Sequence, residues 1–120
     1  MNILLIYKTK TGFTKRYADW IAEEICCKKI PFKKMDTIEI NNYDIIIYGA
    51  GMHARHILGS NKFKKRVKNL CHKKIIVFST GASPCTKEIV DMIKENNFTE
   101  NEKREIVFYY FNSGLSYEKL

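Results

Sequence analysis

The sequence predicts an α/β fold built on an open, mostly parallel sheet, and three observations carry that prediction. Short apolar runs rich in β-branched and aromatic residues recur along the chain, the pattern of strands buried on both faces. Segments with apolar residues at helical spacing lie between them. Loops of small, donor-rich residues follow three of the runs, where strand carboxyl ends of such a sheet face one side. With 120 residues, 45% of them hydrophobic, the chain suits a single domain over 1–120 that buries its own core.

The elements follow in order. Ile3 to Tyr7 reads as the first strand, and Tyr17, Ala18, Ile21 and Ile25 mark the buried stripe of the helix after it. A weaker strand is placed over Phe32 to Ile38, then a clear one over Ile45 to Tyr48. Phe63, Val67 and Leu70 mark a second helix, Ile75 to Ser79 the fourth strand, and Ile89, Val90 and Ile93 a third helix. Ser83 followed by Pro84 offers that helix a hydroxyl N-cap and a suitable first residue. Ile106 to Phe111 completes the pattern β-α-β-β-α-β-α-β.

Two features fit this scheme poorly. Residues 39–44 are fewer than a parallel crossover takes, so the second strand is short or lies elsewhere. No segment after Ile106 to Phe111 is long enough for a final helix. Part of that strand is expected to be bare or covered by a partner, a second copy of the chain being one candidate.

Composition narrows the function classes. No apolar run approaches bilayer length, and the N-terminus lacks the parts of an export signal, so a cytoplasmic protein without membrane insertion is expected. Cys26, Cys27, Cys71 and Cys85 show neither metal-ligand spacing nor a disulfide framework. Net charge is +8, with Lys62, Lys64, Lys65, Arg66 and Lys68 gathered on one helix. Such a stripe suits an anionic cofactor or acidic protein. No aromatics interleave it, which argues against nucleic acid.

The loops carry the chemistry. Thr9, Lys10, Thr11, Gly12, Phe13 and Thr14 lead from the first strand directly into a helix, where backbone N–H groups, hydroxyls and the helix dipole make an anion site. The alternative is a helix cap and a simple turn. The spacing matches neither a nucleoside triphosphate loop nor a dinucleotide loop, which leaves a monophosphate. After the third strand, "YGAGMHARHILG" offers Gly49 and Gly51 as exposed backbone against which a flat ring packs, with Met52 and His53 beside it. After the fourth, "STGASP" is again small and rich in donors. Together the loops describe a shallow site for a ligand with a phosphate at one end and a planar ring at the other.

These residues resemble the flavodoxin family. Thr9-x-Thr11-Gly12-x-Thr14 is similar to its phosphate loop, and "YGAGMHA" and "STGASP" look like the two loops that hold its flavin ring. The resemblance extends over almost the whole chain, and is nearest to short flavodoxin-domain proteins related to flavodoxin-type protoporphyrinogen oxidases. It implies a flavodoxin-like, five-stranded sheet of order 2-1-3-4-5, with helices on both faces and FMN at the strand carboxyl ends. By the same resemblance Thr9, Lys10, Thr11, Gly12, Phe13 and Thr14 hold the phosphate. Gly49, Ala50, Gly51, Met52, His53 and Ala54 line one side of the ring, and Thr80, Gly81, Ala82 and Ser83 its pyrimidine edge. The chain departs from the family in having His53 where an aromatic ring commonly stacks, in its positive charge, and in its missing last helix.

No catalytic residue and no metal ligand is assigned, since no nucleophile has a partner base nearby in sequence. An FMN-binding electron-transfer protein or small flavin-dependent oxidoreductase is the leading reading, working with a redox partner protein or a small-molecule acceptor. Two alternatives stand beside it. One is a cofactor-free domain that binds an acidic protein or nucleic acid through its basic helix, and the other an oxidoreductase with a specific porphyrinogen or quinone substrate. Cations near the ring, such as Lys10, would raise the flavin potential, and His53 would make it depend on pH.

Overall fold

The computed structural model describes residues 2–9, 12–68 and 73–112. In chain order the elements are β1 (Ile3–Lys8), α1 (Phe13–Ile25), β2 (Lys28–Pro31), β3 (Ile45–His53) and β4 (His56–Ile57), followed by α2 (Ser60–Val67), β5 (Lys74–Gly81), α3 (Lys87–Asn97), α4 (Glu100–Glu105) and β6 (Ile106–Asn112). Five strands run parallel in the order β2-β1-β3-β5-β6, while β4 folds back antiparallel on β3. Counting the parallel strands alone, this is the order 2-1-3-4-5. Ile6 in β1 lies between Ile30 of β2 and Tyr48 of β3. The strand order therefore reverses at β1, and the crevice between the carboxyl ends of β1 and β3 is the switch point where such sheets take ligands.

Alternation along the strands sends side chains to two different cores. On one face Leu4, Ile6, Ile46, Tyr48 and Val77 meet Phe63 and Val67 of α2 and Ile93 of α3. Phe63 stacks on Tyr48 with ring centroids 4.5 Å apart, worth about 1 kcal/mol beyond the area it buries. The Tyr48 hydroxyl donates to the Leu58 carbonyl, and burial pushes its pKa far above the ordinary phenol value, so it remains a neutral donor. On the other face Leu5, Ile47 and Phe78 pack with Ala18 of α1. Phe111 of β6 closes this second core by stacking on Tyr17 at 4.7 Å. Two of its neighbours on the same strand, Val107 and Tyr109, are 38% and 53% exposed. Trp20 lies on the surface of α1, edge-on to Tyr17.

Three expectations are corrected. Phe32 to Ile38 is not a strand: Phe32–Thr37 is a 3-10 turn, a second covers Ile40–Asn42, and β2 precedes them at Lys28–Pro31. Phe32, Met35 and Ile38 are three apart, which suits three residues per turn, and Met35 is buried by it. Moving the strand leaves residues 32–44 for the crossover, long enough for a parallel connection. The third helix starts later than Ser83-Pro84: Thr86 is its N-cap, its Oγ accepting from the Ile89 amide at 3.2 Å. Ser83 is occupied elsewhere, its carbonyl accepting from the Tyr110 hydroxyl at 2.7 Å. Finally, α4 was not anticipated. Thr99 and Glu102 form a reciprocal capping box that sets its start. Leu70, expected on the second helix, lies outside the described residues.

Candidate functional site

At the end of β1 the chain turns sharply into α1. Gly12 takes φ 94°, a left-handed conformation that would cost a residue with a side chain about 1–2 kcal/mol. The Thr9 hydroxyl accepts from the Gly12 amide at 2.8 Å and closes the loop on itself. Among the described residues no side chain caps α1, and its first turn contains no acidic residue. The first-turn amides of Phe13, Thr14 and Lys15 therefore meet the switch point with the positive end of the helix dipole. Phe13 is half-buried beside the Arg16 guanidinium. Lys10 and Thr11 lie outside the described residues.

Thr14 does more than line this loop. It is 2% exposed, and its hydroxyl is hydrogen-bonded to that of Thr80 at 2.8 Å, joining the α1 start to the end of β5. The same Thr14 oxygen is 3.7 Å from where a Cβ on Gly51 would stand. Three loops far apart in sequence thus meet at one point.

The second end of the site is a cleft of about 500 Å³ between the β3–β4 hairpin and the loop after β5. Met52, Ala54 and Arg55 line one side, Gly81, Ala82 and Ser83 the other, with Asn96 at its border. Met52 rests on Gly81, its Cε 2.6 Å from the position a Cβ would take. His53 is exposed and pairs with His56 across the hairpin. Gly49 corrects the expectation of open backbone at this point, because it is buried within the strand, as Ala50 beside it is. A Cβ on Gly49 would stand 2.0 Å from Phe78 Cζ, so the absence of a side chain there admits Phe78 to the core. The Ala50 carbonyl accepts from the Ser79 hydroxyl at 2.8 Å, tying β3 to β5 beneath the cleft.

The hairpin turn is the part that sequence reasoning missed. Ala54 and Arg55 take φ 51° and 64°, the left-handed pair of a tight two-residue turn normally made by Asn and Gly. Asn97, at the end of α3 and 7% exposed, holds it in place. Its Nδ2 donates to the carbonyls of Arg55 at 2.9 Å and Ile93 at 2.7 Å, and its Oδ1 accepts from the Ile57 amide at 2.9 Å. "HARH" contains no turn-forming residue, so only the tertiary contact reveals the hairpin.

The basic helix is largely engaged within the fold. Lys62 and Arg66 pair with Asp36 at 3.1 and 3.8 Å, and Arg66 also donates to the Ile38 carbonyl. Lys64 bonds the Asn97 carbonyl at 2.6 Å and Glu102 at 3.1 Å. Burial raises the Glu102 pKa, but the Thr99 amide and the Lys64 ammonium outweigh it and hold the carboxyl below its usual value. Lys65 and Lys68 are left exposed. Among the described residues, no helix is long and apolar enough to cross a membrane.

A parallel sheet with this strand order, a helix starting at its switch point and two small-residue loops facing it define the flavodoxin-like class. The sequence profile of the flavodoxin domain matches residues 4–120, and the chain belongs to that family. An uncharacterized protein of Methanocaldococcus jannaschii is 30% identical over 105 residues, 82% of this chain and 69% of that one. Among solved structures, a flavoprotein from Lactobacillus acidophilus in complex with FMN superposes with TM-score 0.66 at 16% identity, covering 98% of this chain and 97% of that one. Oxidised flavodoxin 2 from Bacillus cereus gives TM-score 0.60 at 22% identity, over 93% and 86%.

Proposed function

We propose that the chain binds FMN at the switch point and exchanges electrons between it and a redox partner protein or small-molecule acceptor. The observation that carries the reading is the Thr14–Thr80 hydrogen bond, which sets the start of α1 and the small-residue cleft side by side. One end supplies first-turn amides to a phosphate, and the other supplies a cleft lined mainly by small residues, with few side chains to displace. The residues present fit the cofactor. Gly12 to Thr14 would hold the phosphate, while Met52, Gly81, Ala82 and Ser83 would flank the ring. When bound, FMN supplies the electron-carrying chemistry, and the chain sets its orientation and surroundings. The Lactobacillus acidophilus structure with FMN supports the same choice of cofactor.

Titrating FMN into the protein and following flavin fluorescence tests this. Saturable quenching is expected, with riboflavin, which lacks the phosphate, binding at least about tenfold more weakly, a difference of about 1.4 kcal/mol. Equal affinity for both flavins would remove the phosphate assignment. No quenching at all would remove the cofactor.

A further inference from the structure

We propose that Arg55 is the cation that favours reduced over oxidised flavin in the ring cleft, an inference that rests on the FMN reading and extends it to the potential of the site. Among the described residues lining that cleft, Arg55 is the one charged side chain, and no carboxylate lines it. Its charge is not neutralised locally: its guanidinium donates to the Met92 sulfur at 3.5 Å, a weak and uncharged acceptor, and it makes no ion pair among the described residues. A guanidinium also keeps its charge at every pH the protein meets.

The backbone is arranged to keep this charge in place. Arg55 occupies a left-handed conformation that disfavours any residue with a side chain, and Asn97 holds it there through the Arg55 carbonyl. Asn97 is thus a positioning residue, acting on the cleft through Arg55.

The chemistry follows from charge balance. The oxidised flavin ring is neutral; taking up two electrons and one proton gives a ring carrying one negative charge. A fixed cation at the cleft leaves the oxidised ring nearly unaffected and stabilises the reduced one, by an amount that falls as salt screens it. The couple is raised by the difference between the two.

The experiment uses FMN-loaded protein reduced stepwise with dithionite against a reference dye, beside fluorescence titration of the unloaded protein with oxidised FMN. Arg55→Gln is expected to bind oxidised FMN within about twofold of the parent. Its preference for reduced FMN should fall about tenfold, equivalent to a midpoint about 30 mV lower for a two-electron couple. Arg55→Lys keeps the charge and should stay near the parent, whereas the midpoint of Asn97→Ala should move toward that of Arg55→Gln. The parental shift should also shrink with added salt. Normal FMN binding with the same midpoint in Arg55→Gln would overturn the inference and leave the cofactor reading standing. Equal loss of oxidised and reduced affinity would overturn it too, by making Arg55 a general contact. Failure of the parent to bind FMN would overturn both.

Discussion

The two ends of the candidate site reach the same unusual backbone conformation by different means. At the phosphate end a left-handed residue is required, and Gly12 provides it with its own loop: Thr9 closes on the Gly12 amide, and among the described residues nothing crowds the Gly12 side-chain position. At the ring end two left-handed residues are required, and Ala54 and Arg55 are unsuited to both. That end is held from outside by Asn97, more than forty residues away. One end is therefore intrinsic to a local stretch, while the shape of the other depends on α3 docking.

The largest expected effect comes from the strand beneath the ring end. Gly49→Ala drives a methyl group into Phe78, whose ring is buried and also packed against Phe111, and should cost about 3 kcal/mol in denaturant unfolding. Shortening the obstacle in the same chain with Phe78→Leu should recover part of that loss. Next comes Asn97→Ala, which strands the Ile57 amide and releases the turn. It should destabilise by about 2 kcal/mol, weakening FMN and riboflavin by similar factors because the phosphate end is untouched. A loss confined to FMN would erase the division between the ends.

The phosphate end gives the reciprocal case. Thr9→Ala opens the loop at a cost of about 1 kcal/mol, and the affinity ratio of FMN to riboflavin should fall while riboflavin binding itself holds. The most direct contrast is a matched pair in thermal unfolding. Gly12→Ala should destabilise and Arg55→Gly should stabilise, each by about 1 kcal/mol, since one adds and the other removes a side chain in left-handed backbone. Equal signs for the two would show that the hairpin is not strained.

What could be read from the sequence follows the same division. The strands around Ile3–Lys8, Ile45–His53 and Lys74–Gly81 announce themselves by local apolar runs, and the threonine-glycine loop by its own chemistry. β2 did not, because Ile30 is its one buried residue and the aromatic and apolar residues just after it drew the strand too far along. Here the signal was present in the three-residue spacing of Phe32, Met35 and Ile38. α4 was likewise marked by Thr99 and Glu102. The β3–β4 hairpin carried no such mark, since its turn is imposed by Asn97 and its strand register by the sheet. Gly49 was misjudged for a related reason: whether a glycine faces solvent or a neighbouring ring depends on what β5 brings alongside. Thr14 is marked by its place in the threonine-glycine loop, but its bond to Thr80 depends on a partner sixty-six positions away.

The short outer strand β2 also decides how the sheet meets other molecules. Its four residues include Lys28 and Lys29 at one end and Pro31 at the other. Lysines resist burial beside a foreign strand, and proline has no amide hydrogen to offer one, so this margin is a poor template for pairing. The opposite margin, β6, is longer and carries Tyr109 and Val107 on its surface. Misassembly by strand addition is therefore blocked on one side of the protein, and solubility during expression should respond to charges introduced on β6 far more than to changes on β2.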